Sequence, residues 1–236
     1  MRLVRFSIRM NLLGILLEIG AKREVSMKTN RILFETILVG LIAVGGMVLI
    51  PQAKTIFALI PVAYLLVERP LRRHTWADIG FKFSSFWQDL RDNWGWFLLA
   101  GVIIQPLTAF LARSFAPAYL QHVISRLPFP QDINWFVLIP VLAISLIFEE
   151  MTFRSLIQGR LTPFIGKTSA ILLTSFLFAI AHFNPGVFSV VAIDLVTLFI
   201  DSILYGIIYA RSNNLIVVWV AHLFGDVLGM IFLLSL

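Results

Sequence analysis

Ile133-Asn134-Trp135-Phe136-Val137-Leu138-Ile139-Pro140-Val141-Leu142-Ala143-Ile144-Ser145-Leu146-Ile147-Phe148-Glu149-Glu150-Met151-Thr152-Phe153-Arg154 is a long apolar run that meets two adjacent carboxylates and then a guanidinium. A run of about 20 apolar residues is long enough to cross a bilayer as a helix. The charges at its end are the informative part, because an ionised side chain inside a membrane segment is costly and marks function by default. On a helix Glu150 and Arg154 are four residues apart, with the acid N-terminal to the base, the favourable direction for an ion pair. Glu149 points about 100° away around the same helix and finds no such partner in its own segment. The doublet therefore divides: Glu150 is held by Arg154, and Glu149 is left for chemistry.

The rest of the chain repeats the apolar theme. Of 236 residues, 59% are hydrophobic and only 14% charged, with a mean hydropathy of +0.90. Soluble domains carry about 25% charged residues, so the bilayer is the solvent. Further apolar runs lie near 32–50, 55–68, 94–112, 168–183, 188–210 and 215–236. With 133–153 they predict an all-α, polytopic transmembrane bundle of seven to eight spans. Its single transmembrane domain covers 31–236, with a catalytic core at 133–236. Residues 1–30 are basic, and read either as an interfacial segment or as residues ahead of a true start at Met27.

The formal net charge of +6 suggests orientation rather than nucleic acid, because the basic residues sit between apolar runs. With seven spans and a cytoplasmic N-terminus, 16 of the 19 Lys and Arg fall on the inner side, leaving Lys54, Arg113 and Arg126 outside. That asymmetry predicts a multi-pass cell-membrane protein with its N-terminus in the cytoplasm. There is no cysteine, which excludes disulfides, thiolate metal sites and a thiol nucleophile. Residues 69–93 alternate aromatic and charged side chains and are expected to form a helix lying in the interface.

Two more polar pairs interrupt the apolar runs. Phe178 and His182 are four apart on one helix face, and so are His222 and Asp226. Glu149, His182 and His222 are expected to converge on one polar cavity. Two chemistries suit this set. Glu149 and His182 can deprotonate a water for attack on a peptide carbonyl, with His222 beside Asp226 stabilising the oxyanion. Alternatively His182, His222, Glu149 and Asp226 bind Zn²⁺. The HExxH arrangement that would favour zinc is absent, so no cofactor is preferred and zinc is the alternative. Ser145, Ser155 and Ser175 do not sit in a nucleophile elbow.

Glu149-Glu150-x-x-x-Arg154, Phe178-x-x-x-His182 and His222-x-x-x-Asp226 together resemble the three motifs of the CPBP family. These are the type II CAAX prenyl endopeptidases and the bacteriocin-processing or Abi proteins. Ala77-Asp78-Ile79-Gly80-Phe81 is similar to a short glycine-centred element that precedes the core in such proteins, so the resemblance covers most of 70–236. It implies an eight-helix membrane fold and endopeptidase activity on a membrane-associated peptide or protein. It implies that Glu149 matches the catalytic glutamate, His182 its partner in activating water, and His222 the oxyanion-side histidine, with Glu150, Arg154 and Phe178 in support. The sequence departs from the prenyl proteases at the last motif position, where they carry Asn and this chain has Asp226. Asn can donate a hydrogen bond to an oxyanion and an ionised Asp cannot. Asp226 then orients His222, holds a proton, or binds a metal, and a prenylated substrate is not implied.

Among the other polar residues, Asp194 and Asp201 are seven apart and nearly on one face, which suits a supporting or packing role. His74 and His122 read as solvated loop residues, and Tyr205 and Tyr209 as packing residues. Two other functions compete with the endopeptidase. One is a non-catalytic immunity or scaffold protein. The other is a small ion-coupled transporter, since buried Glu, His and Asp also build proton relays.

Overall fold

A polar turn or a proline interrupts each apolar run, and the chain turns back there. The computed structural model describes residues 30–125 and 134–235. The basic stretch before Asn30 and Arg126 lie outside them. Among the described residues there are helices and no strand. The longer helices are α1 (Asn30–Leu49), α2 (Lys54–Leu71), α4 (Trp94–Phe115), α6 (Trp135–Ile165), α7 (Lys167–Ala181), α8 (Phe188–Ser212) and α9 (Leu215–Ser235). Two short helices, α3 (Phe86–Asp92) and α5 (Pro117–Ile124), join them. By internal contacts the chain divides into residues 1–38 and 39–236. In the first unit the described residues begin α1, and Arg31 pairs with Glu35 one turn on, at 2.8 Å.

Five helices, α1, α4, α6, α8 and α9, are long and apolar enough to cross a membrane. Two of the seven expected spans are weaker. α2 carries Lys54 at its start and Glu68 and Arg69 near its end, and α7 has only 15 residues. The run that was expected to close at residue 153 continues as helix to Ile165. It passes through Arg154 because that charge is buried and partnered inside the protein. Just after the glutamate doublet the helix widens into π-type turns over Met151–Gln158, a distortion frequent at functional sites.

Residues 69–93 do not form the single interfacial helix that the alternation suggests. They fold as two 3₁₀ turns, Ala77–Ile79 and Phe83–Ser85, followed by α3. The reason is Gly80, which adopts φ +100°, a conformation costly for residues with a Cβ. Gly80 O accepts from Leu215 N at 2.7 Å, and Ile79 O accepts from Ser155 Oγ at 2.8 Å. A Cβ on Gly80 would come within 2.7 Å of Leu215 Cγ. The loop is thus docked onto the end of the bundle where α9 begins. Phe83, Trp87 and Trp94 stay exposed, as suits a membrane interface. Two hydrogen bonds from Thr75 hold the Asp78 carboxyl below the usual carboxylate range and close the turn that leads into Gly80.

α9 carries the third motif, and α4 sets its position. At Gly101 the α4 backbone comes so close that a Cβ would lie 2.9 Å from Ala221 O, next to His222. His122, read from sequence as a solvated loop residue, sits instead in α5. Its side chain is only 13% exposed and faces Asp194 at 3.6 Å. The sequence signal failed because α5 is short and its one-turn periodicity is weak beside the surrounding polar residues.

Candidate active site

The doublet at the end of the apolar half of α6 points its two carboxylates in different directions, as the helical angle requires. Glu149 faces His182, which ends α7, and Glu149 Oε1 lies 3.7 Å from His182 Nε2. That is too long for a direct hydrogen bond. The orientation of the His182 ring is set on its other side, where Nδ1 lies 2.9 Å from the carbonyl oxygen of Phe178. A carbonyl can only accept, so Nδ1 carries the proton and donates. With Nδ1 as the donor, the neutral form of the ring has its lone pair at Nε2, facing Glu149. Glu149 and His182 are about a quarter exposed. They line a cavity of about 250 Å³ with Lys54, Ser145, Phe148 and Thr152.

Glu150 turns inward. Its Oε1 accepts from His222 Nδ1 at 2.7 Å and its Oε2 accepts from Arg154 Nε at 3.2 Å. Arg154 is fully buried. Its remaining donors reach Gln158 Oε1 at 3.3 Å and Ser202 Oγ at 2.8 Å. Gln158 in turn donates to Gly206 O at 2.8 Å, so α6 and α8 are joined through this chain. The local Glu150–Arg154 pair expected from sequence is present, but it is half of the arrangement. Glu150 also orients His222 across 72 positions of sequence.

This differs from the expectation that Asp226 would orient His222. Asp226 Oδ1 stands 3.8 Å from His222 Nε2, beyond hydrogen-bond range, whereas Glu150 is in close contact with the opposite ring nitrogen. An i,i+4 neighbour on the same helix is favoured by sequence spacing, but the buried carboxylate from α6 has the better geometry. The single cavity expected for Glu149, His182 and His222 is also not what the fold builds. His222 is 5% exposed and is not among the residues lining the Glu149 cavity. Asp226 opens instead onto a second cavity of about 220 Å³, with Gln105, Tyr119, Asp194 and Asp201.

Aromatic rings tie the two histidines together. The Phe178 ring lies 4.4 Å from the His182 ring and 6.1 Å from that of His222, centroid to centroid. Phe178 is itself packed edge-on by Phe153 and lies 5.9 Å from the Arg154 guanidinium. Tyr205 stacks on His222 at 4.3 Å, with 28° between the planes. Sequence reading assigned Tyr205 to packing and did not single out Gln158, Ser202 or Lys54. Gln158 had a local signal, since it continues the i,i+4 ladder from Glu150 through Arg154. Ser202 and Lys54 had none, because their partners come from other helices.

Zinc needs three or four donors about 2.0–2.2 Å from one point. Among the described residues no group of three His, Cys, Asp or Glu is arranged to hold a metal ion. Glu150 and His222 Nδ1 are already committed to each other, and Asp226 faces a different cavity from Glu149. The donor set does not fit a zinc centre in this arrangement.

Residues 130–228 match the family described as type II CAAX prenyl endopeptidase Rce1-like. That span contains the glutamate doublet, both histidines and Asp226. No curated protein and no solved structure matches the chain. With five helices long and apolar enough to cross a membrane, the chain is a multi-pass membrane protein whose residues 130–228 are similar to the Rce1-like type II CAAX prenyl endopeptidases, in keeping with its resemblance to the CPBP group.

Proposed function

We propose that this protein is an intramembrane endopeptidase that hydrolyses a peptide bond with a water activated by Glu149 and His182. The observation that carries this reading is the pair of facing acceptors, Glu149 Oε1 and His182 Nε2, 3.7 Å apart. Two groups that both accept cannot bond each other, but one water can donate a hydrogen to each. Held in this way, the water turns its oxygen lone pairs toward the cavity. As the oxygen attacks the carbonyl carbon, one proton passes to Glu149 and the carbonyl electrons move onto oxygen. His222 stands behind the cavity wall: Glu150 holds its Nδ1, and Phe178 packs against both its ring and that of His182, so His222 positions the water-binding pair. Collapse of the tetrahedral species breaks the C–N bond, and Glu149 returns its proton to the departing nitrogen.

The reading is tested in cells. Membrane proteomes of strains carrying wild type and Glu149→Ala are compared by mass spectrometry. The expected result is a membrane-associated protein that accumulates uncleaved in the variant, with a new terminus found only in wild type. Identical proteomes, with the variant present at normal level, would favour the partner-binding alternative.

The same reading needs no metal. Purified protein is expected to contain less than stoichiometric zinc by elemental analysis and to keep its activity in chelator. Stoichiometric zinc, with activity lost in chelator and restored by metal alone, would replace the water-only mechanism.

A further inference from the structure

The basic loops and the catalytic cavity lie at opposite ends of the Val39–Leu236 unit. One end is defined by contacts among connections that are far apart in sequence. Arg160 bonds Glu68 and Tyr64, Arg211 bonds Asn93, and Asn214 bonds Asp89. Gly80 bonds Leu215. The basic residues of 69–93, together with Arg160, Lys167 and Arg211, therefore gather at this end. At the other ends of the same helices, the described Lys and Arg of this unit are Lys54, at the start of α2, and Arg113, near the end of α4.

The cavity holding Glu149 and His182 is built from that second end. Its walls are Met47 in the last turn of α1, the first turns of α2 (Lys54, Thr55, Ala58 and Leu59), and His182 at the far end of α7. At 1.5 Å per residue, His182 is about 22 Å along α7 from Lys167 at the basic end. The second cavity is placed likewise, between the later turns of α4 and α9 and the earlier turns of α8. Toward the basic end the bundle is filled. Arg154, Leu156, Gln158, Ile208, Leu215 and Val218 are each 1% exposed or less.

Basic connections remain on the cytoplasmic side of a membrane. We infer that the catalytic cavity opens toward the extracytoplasmic face, so that the substrate is a membrane-embedded or lipid-anchored polypeptide whose scissile bond is presented from the outer leaflet. This rests on the peptidase reading for the word substrate, but the sidedness does not. A cytosolic chain end would have to pass the packed end of the bundle to reach Glu149. A segment in the outer half of the membrane meets a cavity whose walls combine Met47, Leu59, Phe148 and Phe153 with Lys54, Thr55 and Ser145. Those walls suit apolar side chains on a polar backbone.

The absence of native cysteine makes the test direct. Ser145→Cys and Thr55→Cys each place a thiol on the cavity wall, and Ser84→Cys places one at the basic end. All three positions are exposed. Full-length variants in intact cells are treated with a membrane-impermeant maleimide, and modification is read before and after permeabilisation. Ser145→Cys and Thr55→Cys are expected to react to the same extent in both conditions, and Ser84→Cys only after permeabilisation. Ser84→Cys reacting from outside, or neither cavity thiol reacting until the membrane is opened, overturns the inference. A cavity thiol unreactive in both conditions overturns it too, since the cavity then meets no water. Because labelling needs no turnover, failure of the peptidase reading leaves this result standing. Uncleaved substrate accumulating in Glu149→Ala, together with Ser84→Cys labelled from outside, would keep the peptidase and discard the sidedness.

Discussion

Glu149→Gln is expected to lower turnover by purified protein about 10²–10⁴-fold, the usual contribution of a positioned general base. Thermal unfolding in the same detergent should be little changed. Glutamine keeps the shape and one acceptor oxygen, so water can still bind between residue 149 and His182, but no group is left to take its proton. The fold should tolerate the change because Glu149 is a quarter exposed on a cavity wall and stands beyond hydrogen-bond distance from His182. Turnover within a few-fold of wild type would remove Glu149 from the chemistry. Unfolding well below the wild-type temperature would mean that the loss of activity says nothing about mechanism.

Glu150→Ala should do the opposite first and the same second. Removing one member of a buried ion pair costs about 3–5 kcal/mol, because the remaining charge is stranded in low dielectric. Here the stranded group is Arg154, which is fully buried and donates to Glu150, Gln158 and Ser202. A large drop in unfolding temperature is therefore expected. The second effect is on activity, since His222 Nδ1 loses its 2.7 Å acceptor and the ring is no longer held. The double variant Glu150→Leu with Arg154→Met separates the two roles. Apolar replacement of both partners of a buried pair is often neutral for stability, so the double variant should regain much of the lost stability. Its turnover should stay low, because His222 still lacks its acceptor. Recovery of both stability and turnover in the double variant would show that Glu150 serves only Arg154.

Much of this protein could be read before any coordinates. Burial in a bilayer forces backbone hydrogen bonds to close within each segment, so long apolar runs could only become helices, and α1, α4, α6, α8 and α9 follow from their length and composition. The charges inside such runs could not be accidental, which singled out Glu149, Glu150, Arg154, His182, His222 and Asp226. The i,i+4 pairing of Glu150 with Arg154 is a property of one helix and was visible as spacing.

What tertiary structure decided is everything that crosses between helices. Spacing alone made Asp226 the natural partner of His222, yet Glu150 takes that place at 2.7 Å while Asp226 turns to another cavity. The helix that was expected to end at its charges runs on to Ile165, because Ser202 and Gln158 satisfy Arg154 within the bundle. The fold packs the basic end and leaves Glu149 open toward the other. Local periodicity says which way a side chain leaves its own helix. Which partner it meets, and from which side water reaches it, depends on how the helices cross, and that is set by packing among residues far apart in the chain.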